Sequence, residues 1–512
     1  MKRDKQSRSF REGSPLVFTG AVAYTVGNGN GNGLTQGDLV AVAVAPKGST
    51  FGQNKNNSRR RNKGKSNKAA SSPPSYAHVH LPIEDDEGVE RTTMTSLLPR
   101  DNIVGSQIIG FGVYNPSSMY RVRILLHETS DPVTFAAVRN ILSYSSGTTD
   151  QPAMDADATQ NAMNLILRTK LKEAARSRLA LNLPNSETDS FRLVNGEGDS
   201  MSGLAVDVLG SEVAVVMSSA AWCELYKDEI IKSLAEVLRE VYGADSELEI
   251  VWRTTKSRLK QDGLVLPAAN ENFDSNDEVE DDRYVLATES MVKYRVFPWS
   301  GQKTGFYCDQ RENRRNLAVL CKGKRVLDLC CYNGGFTMNA AINGATKCVG
   351  VDSSQDAIDA ATENAALNGL SSDNVSFVRA DIEDYMKMAL DNGEKYDVII
   401  LDPPKLAPTL SALEKSSRKY HSLNRDAIKL IDKESGGLLL TCTCSSAMTQ
   451  KDGGQFFLST VKGASLAARR QLSLLRTSGA ASCHAQNPAA FPAGNYLTAA
   501  LFHVSPVSIT SE

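Results

Sequence analysis

Two short stretches carry groups that could do chemistry: Asp402-Pro403-Pro404-Lys405 after the apolar run VIIL, and Cys442-Thr443-Cys444 after GLLL. Apolar runs of this kind read as buried strands, so both stretches sit where a strand runs out into a loop. Cys442 and Cys444 are two positions apart, and on a strand they share a face. Thiols so placed serve as small core residues, as half of a metal site, or as a nucleophile. The prolines after Asp402 fix φ and remove two backbone donors, which makes that loop stiff. A stiff loop can hold a planar substrate beside a reactive group.

The same pattern of apolar run and acidic end recurs upstream. Asp328 follows KRVL and precedes LCCYNGGFT, Asp352 closes TKCVGV, and Asp381 follows VSFVRA. In a parallel α/β sheet, ligands bind outside the carboxyl ends of the strands. Four aspartates and a thiol would meet there. Gly334-Gly335 lets backbone come close to a ligand at the start of the helix FTMNAAING. Asp352 lies roughly 20 residues further on, the position of an acid that holds ribose hydroxyls. The loop is not GxGxxG, so a dinucleotide is a poor fit. A ligand with a carboxylate, a ribose and an adenine fits, which is S-adenosylmethionine.

Beside a methyl sulfonium, the thiol acquires a use. Carbon 5 of a pyrimidine is a poor nucleophile. A thiolate adding to carbon 6 makes an enamine whose carbon 5 can attack the methyl group. A base then removes the carbon 5 proton and the thiolate leaves, so one difficult step becomes several easier ones. This requires an exposed thiol with its pKa lowered from about 8.5.

The elements that must position these groups follow from the pattern. From about residue 320, apolar strands KRVLDLCC, TKCVGVD, VSFVRAD, YDVIILD and GGLLLTCTC alternate with helical stretches. Such alternation predicts a parallel sheet with crossover helices, and near-continuous apolar strands predict burial on both faces. Upstream, residues 155–182 have a helical pattern with Met163, Leu167 and Leu171 on one face. FRLVNGEGDSMSGLAVDVLGSEVAVVMSS gives strands with glycine turns, and Ile230, Ile231, Leu234, Val237, Leu238 and Val241 mark an amphipathic helix. Residues 136–265 therefore read as a helical linker and a central α+β domain, and 266–284 as an acidic linker. Residues 1–135 read as a β-rich domain interrupted at about 48–105. That insertion holds the basic run KNNSRRRNKGKSNK and is expected to be disordered. Residues 285–512 form the α/β domain.

The chain of 512 residues carries a net charge of −2, so any nucleic-acid surface must be a local patch. Nine scattered cysteines without a CxxC argue against a disulfide framework and a zinc ribbon, and no metal is expected. No apolar stretch reaches the ~20 residues of a membrane span. The basic N-terminus has no apolar core of a secretory signal. The compartment is left as cytoplasm or an organelle. Oligomeric state is not fixed by the sequence, a homodimer being one option.

The segments GQKTGFYCDQRENRR, VLDLCCYNGGFTMNAA, VDSSQDAIDAATENAALNG, YDVIILDPPK and LLLTCTCSSAMT closely resemble the PUA-containing cytosine-5 methyltransferases of large-subunit ribosomal RNA. PLVFTGAVA and GFGVYNPSSMYRVRIL resemble that family's PUA module, and FRLVNGEGDSMSGLAVDVLG its central domain. The resemblance implies a Rossmann-like class I fold, S-adenosylmethionine as cofactor and ribosomal RNA as partner. It implies that Cys444 is the nucleophile and Cys442 packs. By motif, cofactor contacts fall on Asp328, Tyr332, Gly334, Gly335, Phe336, Asp352, Asp381 and Asp402. Lys303, Thr304, Gly305, Asp309, Gln310 and Arg311 match a K-T-G-x-x-x-D-Q-R segment expected to lie over the cofactor. Pro403, Pro404 and Lys405 are expected at the substrate base, with Asp402 a candidate for the base that takes the carbon 5 proton. Cys308 departs from the family's pattern, as does Gln486-Asn487-Pro488, which replaces an Asp-His-Pro. Two other readings are a guanine-nitrogen methyltransferase, which needs no thiol, and a non-catalytic RNA-binding assembly factor.

Overall fold

A computed structural model describes residues 14–18, 25–26, 34–44, 76–84, 90–99, 107–142, 156–243, 248–266, 283–407 and 409–507. At the N-terminus, Leu16–Phe18, Tyr120–His127, Gln107–Tyr114 and Leu39–Val44 form, in that order, a four-stranded antiparallel sheet. Leu39–Val44 pairs with Gln107–Tyr114 from the far side of the insertion, so one sheet is assembled across it.

Within the span of about 48–105, read as a disordered basic insertion, two strands are described. Tyr76–Glu84 and Glu90–Pro99 pair antiparallel, and Thr25–Val26 adds a third strand. YAHVHLPIE and ERTTMTSLLP contain alternating and β-branched residues suited to strands. The flanking charge had masked that pattern. The basic run at 55–68, and residues 267–282 of the acidic linker, lie outside the described residues.

The helical pattern at 155–182 is the helix Ala156–Ala180, and the amphipathic helix is Lys227–Tyr242. They pack on a sheet ordered Glu249–Thr254, Val213–Ser218, Leu204–Leu209, Phe191–Asn195. Ile166, Leu167 and Leu171 share one core with Ile230 and Leu234, and with Phe111 and Leu126 of the N-terminal sheet. The N-terminal and central units are therefore packed as one body.

The α/β region has seven strands: β1 (Arg325–Leu329), β2 (Lys347–Asp352), β3 (Val375–Arg379), β4 (Val398–Leu401), β5 (Gly437–Thr443), β6 (Leu472–Ser478) and β7 (Thr498–Val504). Their order is β3-β2-β1-β4-β5-β7-β6. β1 to β5 are parallel, and β7 runs antiparallel between β5 and β6. β6 and β7 extend the five strands expected from the alternation. The longer helices are α1 (Arg311–Ala318), α2 (Gly335–Ile342), α3 (Gln355–Leu367), α4 (Ile382–Asp391), α5 (Leu413–Leu430) and α6 (Gln455–Ala467). They cover both faces, as buried parallel strands require. A hairpin, Val285–Glu289 with Val292–Val296, bridges the units. Its Val285, Ala287 and Tyr294 pack with Leu209 and Val215 of the central sheet and with Met338 of α2. Among the described residues, no helix is long and apolar enough to cross a membrane.

Candidate active site

The switch point between β1 and β4 gathers the acids. Leu329 pairs with Leu401, and Leu401 with Thr441, so the loops after β1, β4 and β5 emerge side by side. After β1, Gly334 adopts φ +83° and caps α2. A Cβ there would meet the Phe377 ring at 3.0 Å, so the position requires glycine on both counts.

Asp328 is buried, and its Oδ2 accepts from the backbone N–H (3.0 Å) and hydroxyl (2.7 Å) of Thr337. Its Oδ1 has no hydrogen-bond partner among the described residues. Burial pushes its pKa up to about 7 against the bonds from Thr337, with Asp402 and Asp352 adding to the rise. An orphaned buried oxygen of this kind calls for a donor from a ligand. Asp352, ending β2, accepts from the N–H groups of Tyr332 and Ser354, both at 3.0 Å. Each oxygen keeps a lone pair for a ligand hydroxyl. Asp381 is not at a strand end but caps α4, accepting from the Glu383 N–H at 2.8 Å. It is exposed. Asp328, Gly334 and Asp352 thus make a cradle suited to an amino-acid group and a ribose. Phe336 is turned into the core with Val326 and Ala340.

Asp402 Oδ2 accepts from Gln310 Nε2 at 2.9 Å. Burial, then Asp309, push its pKa up to about 6. Gln310 is held in turn by Asn313, which donates to its Oε1 at 2.6 Å. Asp309 accepts from the Tyr496 hydroxyl at 2.8 Å. Against the cost of burial, Lys303 and that hydroxyl hold its carboxyl below the usual range. Lys303 sits at φ +52° with its ammonium 4.0 Å from the centre of the Tyr307 ring, and Tyr307 meets Tyr332 edge-on at 5.0 Å.

Lys303, Asp309 and Gln310 therefore belong to the Asp402 neighbourhood. Two residues of the same segment do not lie over the cradle. The Thr304 hydroxyl donates to Asp207 in the central unit at 2.6 Å, and Arg311 Nη1 reaches Cys483 Sγ at 3.3 Å. Gly305 serves the turn, since a Cβ there would meet the Phe297 carbonyl oxygen at 2.6 Å. Pro403 is buried, while Pro404 and Lys405 are exposed.

Cys442 and Cys444 have different surroundings. Cys442 is fully buried beside Ile400 and Ala499 in the core. Cys444, one residue past β5, is half-buried. The expected lowering of its thiol pKa is corrected: burial, then Asp402 and Asp309, raise it, and Lys303 opposes them. Groups that the sequence reading passed over hold the cysteine in place. Tyr420 of α5 hydrogen-bonds Thr443 Oγ1 at 2.8 Å. The Ser445 hydroxyl donates to the carbonyl of Ala407, tying the cysteine loop to the Pro403-Pro404 loop. Tyr420 lies in a segment with no motif, and Tyr496 lies eight residues past the Gln486-Asn487-Pro488 departure, so only the fold reveals their partners.

Comparison with known proteins gives this geometry a family. A methyltransferase domain family matches residues 320–468. A ribosomal RNA large subunit methyltransferase I of Aeromonas hydrophila is 36% identical over 328 residues, covering 64% of this chain and 78% of that protein. The Photobacterium profundum protein of the same name is 31% identical, covering 75% and 85%. The chain belongs to the ribosomal RNA large subunit methyltransferase I family. A putative ribosomal RNA large subunit methyltransferase of Methanocaldococcus jannaschii is 36% identical over 283 residues, 55% of this chain and 67% of that one. In fold, the chain is similar to a putative S-adenosylmethionine-dependent methyltransferase from Streptococcus mutans, with a TM-score of 0.57 at 20% identity, covering 78% and 88%. The Rossmann-like methyltransferase fold and an enzyme of that class are thereby established.

Proposed function

We propose that this enzyme methylates carbon 5 of a cytosine in large-subunit ribosomal RNA through a covalent bond between Cys444 and carbon 6. The methyl donor is S-adenosylmethionine, which supplies an electrophilic methyl group on sulfur. Asp328, Gly334 and Asp352 would hold it, with Asp381 at the rim. One juxtaposition carries the reading: a half-buried thiol after β5, tied through Ser445 to the loop Asp402-Pro403-Pro404-Lys405 after β4. A methyltransferase acting on nitrogen has no use for such a thiol.

In this reading the Pro403-Pro404 loop holds the cytosine. The Cys444 thiol loses its proton to solvent, and the thiolate's electron pair forms the bond to carbon 6. The carbon 5–carbon 6 π pair shifts to make carbon 5 nucleophilic, and a carbon 5–methyl bond would form as the donor's methyl–sulfur bond breaks, its electron pair staying on sulfur to leave a neutral thioether. Asp402 is the candidate that removes the carbon 5 proton. The double bond reforms and the sulfur–carbon 6 bond breaks, which restores the thiolate. A carboxylate with its pKa near 6 suits proton acceptance near neutrality. The split N-terminal sheet is read as a PUA-like domain within residues 1–135 that engages RNA. The names of the relatives support ribosomal RNA as the substrate. Ribosomal RNA incubated with enzyme and labelled donor, then digested to nucleosides, should yield labelled 5-methylcytidine. Label in a methylguanosine would overturn the reading.

A further inference from the structure

Asp207 lies in the strand Leu204–Leu209 of the central unit, 97 residues before Thr304. It is fully buried. Arg192 donates to both its oxygens, at 2.6 and 3.0 Å, which suffices to stabilise a buried carboxylate. Its third bond, from the Thr304 hydroxyl, reaches the turn that carries Lys303. A second clamp comes from Arg253, also of the central unit, whose Nη1 donates to the Gly301 carbonyl at 2.6 Å. Between the clamps the chain is tight. Lys303 is at φ +52° and Gly305 at φ +93°, and at Gly301 a Cβ would meet the Phe297 carbonyl at 2.7 Å. A lysine in the left-handed region is unfavourable by itself and persists where surroundings enforce it.

We propose that Asp207 and Arg253 are positioning residues for methyl transfer: acting through Thr304 and Gly301, they hold Lys303 at the Cys444–Asp402 pair. Neither touches the reacting atoms. The inference rests on the reading of Cys444 as the nucleophile. The groups that act on Cys444 are Asp402 from the loop after β4, Lys303 and Asp309 from the clamped segment, Tyr307, Tyr420 of α5, and Cys442 of β5. Lys303 is the cation among them. A fixed ammonium favours the thiolate, so the central unit sets the nucleophile's reactivity from outside the α/β region.

The test is the pH dependence of Cys444 alkylation by iodoacetamide in the full chain, read by mass spectrometry of the Cys444 peptide. Thr304→Val keeps the side chain's shape and leaves Asp207 paired with Arg192. It should move the alkylation midpoint upward, making alkylation several-fold slower at a fixed pH below it. Lys303→Met should do the same, and the double variant should shift no further than the larger single one, since both act through one group. Thr304→Ser, which keeps the hydroxyl, should return the midpoint. If Thr304→Val does not fold, as judged by circular dichroism, Arg253→Lys replaces it with the same expected shift. A midpoint unmoved by the variant, or a shift that adds fully to that of Lys303→Met, overturns the proposal. Alkylation is measured apart from methyl transfer, so this result is separable from whether Cys444 attacks cytosine at all.

Discussion

Cys444 and Asp402 share one local field, and the sign of their coupling can be tested. Burial and the Asp402 charge raise the thiol's pKa, so removing that charge should lower it. Asp402→Asn should therefore shift the Cys444 alkylation midpoint to lower pH while methyl transfer falls. A midpoint that stays or rises would contradict the coupling. For the native enzyme the thiolate fraction grows as pH rises through a pKa above the ordinary thiol value. The kcat/KM for RNA should accordingly still be rising at pH 8.5, and a plateau by pH 7 would contradict that direction. Cys444→Ala should abolish methyl transfer yet bind S-adenosylhomocysteine normally by calorimetry. Cys442→Ala should keep substantial activity, because that thiol faces the core. The residue types at the strand ends were legible in the sequence. The direction of the Cys444 shift was not, because it depends on Asp309 and Asp402 coming together from separate segments.

At the scale of elements, the cradle depends on the entry to α2. Gly334 takes a left-handed conformation, which costs a residue with a Cβ about 1–2 kcal/mol. The added atom would also press on Phe377 and Ala361 at 3.0 and 3.2 Å. Gly334→Ala should weaken S-adenosylhomocysteine binding by roughly tenfold, the equivalent of about 1.4 kcal/mol. Calorimetry that shows unchanged affinity would remove the helix entry from the cofactor site. β1 to β5 could be read from their apolar runs because strands buried on both faces announce themselves. β6 and β7 could not be placed this way, since β7 inserts between β5 and β6 against the chain order. The 303–311 segment was legible as a motif but not in its directions. Thr304 and Arg311 turn away because their partners, Asp207 and Cys483, are 97 and 172 residues distant.

The whole molecule joins an N-terminal sheet and central unit of shared core to the α/β region through the 285–296 hairpin. The segment 48–75, which contains seven basic residues from Lys55 to Lys68 and no acid, stands apart from the catalytic elements in sequence. Deleting it should leave kcat at saturating RNA unchanged while making the salt dependence of RNA affinity shallower, because fewer counterions are released. An unchanged salt slope would show that these residues do not meet RNA phosphates. The central claim, covalent catalysis by Cys444 on cytosine, has a direct measurement on the full chain. RNA carrying 5-azacytosine at the target position has no carbon 5 proton to eliminate, so the adduct should persist. With the methyl donor present, the enzyme should migrate as a denaturant-resistant protein–RNA complex whose cross-link maps to Cys444. No complex, or one that forms undiminished with Cys444→Ala, would contradict the account.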